Sequence, residues 1–269
     1  VRWISDPEPL PFQNPPEGQL HVGVDLGTAY LMLVVLDQDM QPIAGEYQFA
    51  QVVRDGLVLD FIGAVDLLKQ MKDRVEQRLG VQLTHAASGY PPGVPRVEVQ
   101  AVANVVEAAG MRCTNLVDEP TAANALLGLK TGAIVDVGGG TTGIAILNEG
   151  EVVYTADEAT GGTHFSLVVA GSLDISFEEA EVLKVNPDQQ VRLFPVLRPV
   201  MEKVASIINR HVRESGVRVE QLTLVGGACA YRGMAEVIQD FTGLPTRVPD
   251  RPVFVTPLGI AMHDQEKEY

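Results

Sequence analysis

The chain has 269 residues, 46% of them apolar, enough core for one large domain or two of ordinary size. A formal net charge of −15 speaks against a nucleic-acid partner and against an anionic membrane surface, because both require a basic face. Cys113 and Cys229 are the only cysteines, with no disulfide or metal spacing, and no apolar run reaches the roughly 20 residues of a membrane span, so a soluble cytoplasmic protein is expected. A nucleotide is a different kind of partner, since backbone donors and a divalent cation positioned by aspartates can hold it.

Residues 1–20 carry Pro7, Pro9, Pro11, Pro15 and Pro16 and predict no long regular element. Trp3 and Phe12 suggest a strap lying on the body, with a disordered leader as the other reading. Residues 20–36 read as strand, turn, strand, and 42–49 as a third strand of a meander. The segment RDGLVLDF, 54–61, gives another short strand. Val65, Leu68, Met71, Val75 and Leu79 then recur at helical spacing and predict a helix over 64–79 that stops at Gly80.

A buried strand follows over 85–90, ended by Pro91 and Pro92, then a helix over 96–109 stopped by Gly110 and a strand over 114–117. DEPTAANALLGL, 118–129, is a helix with Pro120 in its first turn. Residues 133–147 form a second strand–turn–strand unit, and 151–160 add a strand to it. Gly161 to Ser166 opens a helix, and 175–184 is a short helix capped by Ser176. A long helix is expected over 194–213, its start obscured by Pro195 and Pro199. A strand at 221–225, a Gly226–Gly227 turn, a helix at 233–242, a strand about Arg247 and a helix at 257–263 complete the chain.

The two strand–turn–strand units echo each other. VGVDLGTAY, 22–30, and VDVGGGTTGI, 135–144, each place an aspartate after an apolar run and before a turn rich in Gly and Thr. Glycines let backbone N–H groups approach an oxyanion without a Cβ in the way, and threonine hydroxyls add donors. Each turn therefore suits phosphate, and the repeat implies a duplicated α/β architecture.

Five segments in order resemble the nucleotide-binding pattern of the actin, sugar kinase and DnaK-type ATPase superfamily: VGVDLGTAY, DEPTAAN, VDVGGGTTG, EAEVLK and LTLVGGACAYRGM. Their span, the GGTHFS segment and the lack of a substrate-binding domain beyond residue 269 are most similar to the ethanolamine-utilisation EutJ family, described as chaperone-like. The resemblance implies duplicated ribonuclease H-like lobes with mixed sheets flanked by helices and a nucleotide cleft between them. The expected division is a strap at 1–20, lobes at 21–130 and 131–255, and a C-terminal helix at 256–269 packing back toward the first lobe.

The resemblance also implies ATP or ADP with Mg2+. Asp25 and Asp136 would orient waters on the metal, and Glu119 would help position the attacking water. Gly27, Thr28, Gly138, Gly139, Gly140, Thr141 and Thr142 would donate to phosphate. Gly161, Gly162 and Thr163 would lie near the γ-phosphate and ribose, Glu181 and Lys184 on the ribose and adenine side, and Gly226, Gly227 and Ala228 beneath the adenine with Arg232 beside it.

Each assignment has a plainer competitor. The aspartates can cap strand ends, the glycines can form ligand-free turns, and Glu119 can serve its helix dipole alone. Gly226 to Ala228 can be an ordinary strand-to-helix turn, Glu181 and Lys184 a solvated-face pair, and His164 a local structural residue.

No lysine matches the one that DnaK-type chaperones set against the transferred phosphate, since Lys69 and Lys72 have solvated-face helical spacing. Any hydrolysis should be slow. The implied function is an ATP-dependent switch acting on an enzyme or shell protein of an ethanolamine microcompartment. A nucleotide-binding scaffold without turnover and an MreB- or FtsA-like filament are the alternatives, although HDQEKEY at the end of the chain is not an apolar membrane tail. A small-molecule kinase would need a longer chain to build its substrate pocket.

Overall fold

The computed structural model describes residues 15–54 and 57–265. The chain forms two compact units, Val1–Leu127 with Val255–Tyr269, and Gly128–Phe254. The expected strap lies mostly outside the described residues, as do the last four residues of the tail.

In the first unit, β1 (His21–Leu26), β2 (Tyr30–Leu36) and β3 (Pro42–Phe49) make the antiparallel meander. The single strand expected at 54–61 is corrected: β4 (Val53–Arg54) and β5 (Leu57–Val58) are two short strands paired to each other. The chain then turns into α1 (Phe61–Leu79), because the Asp60 carboxylate caps it by accepting the Gly63 N–H at 2.9 Å. Gly80 ends it in the left-handed conformation at φ 71°. The α1 stripe of Val65, Leu68, Met71, Val75 and Leu79 is buried with Val22, Val24, Leu33 and Val35 of the sheet, each large side chain contributing about 1.5–3 kcal/mol of transfer free energy.

β6 (His85–Tyr90), α2 (Arg96–Ala108), β7 (Arg112–Asp118) and α3 (Glu119–Leu127) follow. Strand order in the sheet is β3-β2-β1-β6-β7, with β1, β6 and β7 parallel.

The second unit repeats this plan. β8 (Gly132–Val137), β9 (Thr142–Asn148) and β10 (Glu151–Glu158) form its meander, followed by α4 (Gly162–Leu173), α5 (Phe177–Val185) and α6 (Pro187–Glu214). β11 (Leu222–Val225), α7 (Met234–Thr242) and β12 (Thr246–Arg247) complete it in the order β10-β9-β8-β11-β12.

The α6 start expected at residue 194 is corrected to Pro187. Asn186 caps the helix by accepting the Asp188 N–H at 3.0 Å, and Pro187 occupies the first position, where a missing N–H costs nothing. Pro195 and Pro199 lie inside the helix, which continues through them because Leu193, Leu197, Met201, Val204 and Ile208 form one buried stripe.

The last helix, α8 (Val255–Met262), belongs to the first unit and packs on α3, β1, β2 and β6. Close approach requires glycine at two points. A Cβ on Gly23 of β1 would stand 2.6 Å from the Pro257 carbonyl, and one on Gly259 would collide with the Ala122 carbonyl of α3. Beyond α8 the fully buried Asp264 accepts the Val22 N–H at 2.7 Å and the Thr114 hydroxyl at 2.5 Å, and pairs with His85 Nδ1 at 2.8 Å. No helix among the described residues is long and apolar enough to cross a membrane.

Candidate functional site

In the first unit the site residues stand at the carboxyl ends of the parallel strands, the edge where ligands bind in α/β sheets. Asp25 is the penultimate residue of β1, opposite Met32. Gly27 lies in the turn that follows; a Cβ there would be 2.7 Å from the Tyr30 carbonyl, so only glycine closes this turn so tightly before Thr28. One strand over, Gly89 of β6 lies beside Glu119, whose Cγ would be 3.7 Å from a Cβ on that glycine.

Glu119 opens α3, and Asp118 just before it caps the helix by accepting the Thr121 N–H at 3.0 Å. Burial, and then the Asp118 charge, push the neighbouring Tyr90 phenol above its ordinary range.

In the second unit β8 sets Asp136 opposite Gly143 of β9 and Val225 of β11. Gly226 then packs directly on the Asp136 carboxylate; at φ 88°, and with a Cβ that would lie 2.5 Å from the Val137 carbonyl, the position admits only glycine. Gly227 and Ala228 enter a short 3-10 turn, Gly227–Ala230, that buries Cys229. Burial pushes the Cys229 thiol far up, and the Asp136 carboxylate adds to the shift.

The turn of Gly138, Gly139, Gly140 and Thr141 closes on itself through the Gly138 N–H donating to the Thr141 carbonyl at 3.0 Å. It is pinned from behind by α4. The Gly162 N–H donates to the Gly138 carbonyl and the Thr163 N–H to the Gly139 carbonyl, each at 2.8 Å. Gly161 is wedged against the turn, where a Cβ would meet the Gly138 and Gly139 carbonyls at 2.8 Å. In a trans peptide the N–H points opposite to the C=O. The amides of Gly139 and Gly140 therefore face away from α4 as successive donors, the arrangement of an anion-binding nest.

Internal hydrogen bonds engage several of the expected site residues. Thr142 is fully buried, and its hydroxyl donates to the Thr160 carbonyl at 2.5 Å rather than to a ligand. The Gly162 and Thr163 amides are engaged by the glycine turn and buttress it from behind. Glu181 and Lys184 are not a solvated-face pair: the Lys184 ammonium donates to Glu181 Oε2 at 2.6 Å, Ser166 Oγ at 2.9 Å and the Gly162 carbonyl at 3.1 Å.

Burial pulls the Lys184 pKa down, against the pull of Glu181. Gly138, Lys184 and Ala228 all surround Gly162, whose added Cβ would stand 3.4–3.7 Å from each. The Arg232 N–H donates to Gln190 Oε1 at 3.1 Å, and His164 Nδ1 accepts the Gly161 N–H at 3.3 Å, a local structural bond.

Sequence reasoning missed Ser166 and Asp118. Ser166 sits one helical turn beyond Gly162, and Asp118 precedes Pro120 in the cap position; both spacings are visible in the sequence.

A family model described as type IV pilus assembly protein PilM matches residues 70–256. The ethanolamine utilization protein EutJ of Escherichia coli strain K12 is 45% identical over 253 residues, 93% of this chain and 88% of that protein. The chain belongs to the EutJ family. The crystal structure of EutJ from Carboxydothermus hydrogenoformans superimposes with a TM-score of 0.88 at 45% identity, covering 93% of this chain and 91% of that one. MreB 5 of Spiroplasma citri bound to AMPPNP gives a TM-score of 0.72 at 18% identity over 92% and 96% of the two chains, a likeness of fold. This EutJ relative thus has the actin-like ATPase fold, as expected from its paired motifs.

The second-unit turn suits phosphate, because its Gly138 and Gly139 carbonyls are taken by α4 and the amides that follow them face outward. Among the described residues no three His, Cys, Asp or Glu side chains converge as direct metal ligands. Aspartates set back behind water suit magnesium, which retains several waters.

Proposed function

We propose that this EutJ-family protein binds ATP and ADP with magnesium and works as a nucleotide-dependent switch on a protein partner of ethanolamine utilisation, in a chaperone-like manner. The carrying observation is the orientation of the Gly138–Gly139 and Gly139–Gly140 peptides, whose carbonyls are taken by α4 so that consecutive amides face outward. Preorganised donors of this kind stabilise phosphate oxyanions without reorganisation at binding.

Asp25 and Asp136 would hold waters of the magnesium ion. The metal, when bound, would neutralise charge on the phosphates. Gly27 and Thr28 supply the corresponding turn of the first unit, and Glu119 would orient a water for attack. Gly226, Gly227 and Ala228 offer a side-chain-poor surface for the base, with Lys184 fixing the Gly162 end of the second turn.

A scaffold without turnover is the second reading, favoured by the lysines of α1. Lys72 is paired with Glu76 at 2.7 Å and Lys69 is exposed, so neither is poised to stabilise a transferred phosphoryl group.

Calorimetry with ADP and ATP in magnesium buffer tests the reading. Binding is expected in the parent, and substituting either turn, as Gly27→Val or Gly139→Val, should weaken it at least about tenfold through loss of backbone approach. A parent that binds neither nucleotide defeats the proposal. Phosphate release above that of Asp136→Ala separates a switch with turnover from the scaffold.

A further inference from the structure

Asp157 of β10 lies outside all five motif segments. The β8–β9 ladder sets Asp136 opposite Gly143, and the β9–β10 ladder sets Asp157 opposite the same glycine. Residues directly opposite in antiparallel strands project to one face. Asp136, Gly143 and Asp157 therefore form a row across three strands with a carboxylate at each end and no side chain in the middle.

Gly143 is not required by the backbone, since its φ lies outside the left-handed region. Nor does another main chain crowd it: the nearest atoms to an added Cβ are Asp157 Oδ1 at 3.7 Å and Asp136 Cβ at 3.9 Å. A glycine inside a strand weakens it and marks a place where something else approaches closely. Here the space it leaves is bounded by two aspartates.

We propose that Asp157 is the second carboxylate of the cation site in this unit, holding a water-bound magnesium ion together with Asp136 across the Gly143 gap. The inference rests on the nucleotide reading above. Like charges on one sheet face repel, and a divalent cation held over the intervening glycine converts that repulsion into attraction. Magnesium keeps its waters and takes few direct carboxylates, so a wide, side-chain-free interval suits it better than a tight cluster. Asp157 acts as a positioning residue through water.

The test is calorimetric titration of ADP into parent and variants, in MgCl2 and in EDTA, with thermal unfolding confirming the fold. In the parent, magnesium should strengthen ADP binding. Asp157→Asn should cut that magnesium-dependent gain about tenfold or more and leave affinity in EDTA unchanged.

The paired variant Gly143→Asp with Asp157→Gly returns a carboxylate to the row from the middle strand, where the Cβ has ordinary van der Waals room, and should restore most of the gain. A magnesium gain in Asp157→Asn equal to the parent's overturns this inference alone. A parent that binds no ADP in either buffer overturns it together with the proposed function.

Discussion

Gly226 shows how one residue can be fixed by two demands. Its φ of 88° excludes an L side chain, and its Cα faces the Asp136 carboxylate and the Val137 carbonyl. Gly226→Ala should lower stability by roughly 3 kcal/mol from backbone strain and overpacking together, measured as a fall in the urea midpoint at constant slope. Nucleotide binding should fall with it.

Cys113 carries a pH signature of the opposite kind, a loss at alkaline pH. Burial, reinforced by Glu107, pushes its thiol up to about 11 from an ordinary 9.0. The folded protein keeps this proton while the unfolded chain surrenders it, so the contribution is intact below pH 9.0 and drains as the pH climbs through about 11. Urea unfolding of parent and Cys113→Ser at pH 8 and pH 11 should show the parent losing more stability than the variant. Lys184 works in the other direction, since burial lowers its pKa and the unfolded chain holds that proton longer. Comparison with the Cys113 variant cancels that contribution.

At the scale of elements, α8 is the most informative. It joins α3 and β1 through glycine contacts, and the chain beyond it is clasped by Asp264. Gly259→Ala forces a methyl into the Ala122 carbonyl and should cost about 3 kcal/mol. Proteolysis near residue 262 should accelerate more than proteolysis in the second unit.

Asp264→Ala leaves the Val22 N–H and the Thr114 hydroxyl without their acceptor in the interior, a loss of about 3 kcal/mol readable in thermal melts. Most elements were legible from periodicity and punctuation. The strand over 42–49 and the strand over 85–90 coincide with β3 and β6 to the residue. The start of α6 was not legible, because Pro195 and Pro199 argue locally for a break and only the buried stripe from Leu193 to Ile208 overrides them.

For the whole molecule, the same strand order occurs twice, with an aspartate at the carboxyl end of the first strand in each sheet. The copies differ at one telling point: Asp25 faces Met32, whereas Asp136 faces Gly143. The second unit alone has an open row beside its aspartate. A ligand that binds only the folded state should stabilise the molecule by mass action, about 2.7 kcal/mol at 100 times its Kd. Scanning calorimetry with magnesium and ADP at that excess should raise the Tm by about 5 °C for a chain of this size, and Asp136→Ala should abolish the rise.

What the linear chain determined was the duplication, the fold class and the two glycine turns, because apolar period, helix caps and Asp-Gly spacing are local properties that need no tertiary partner. Tertiary structure decided which of those residues are spent internally. Thr142, Gly162, Thr163 and the Glu181–Lys184 pair have the composition of ligand contacts, yet they meet carbonyls and side chains brought from 15 to 24 residues away. Asp157 became visible only through pairing of strands, since nothing in the order of residues reveals which side chain will stand across from a glycine.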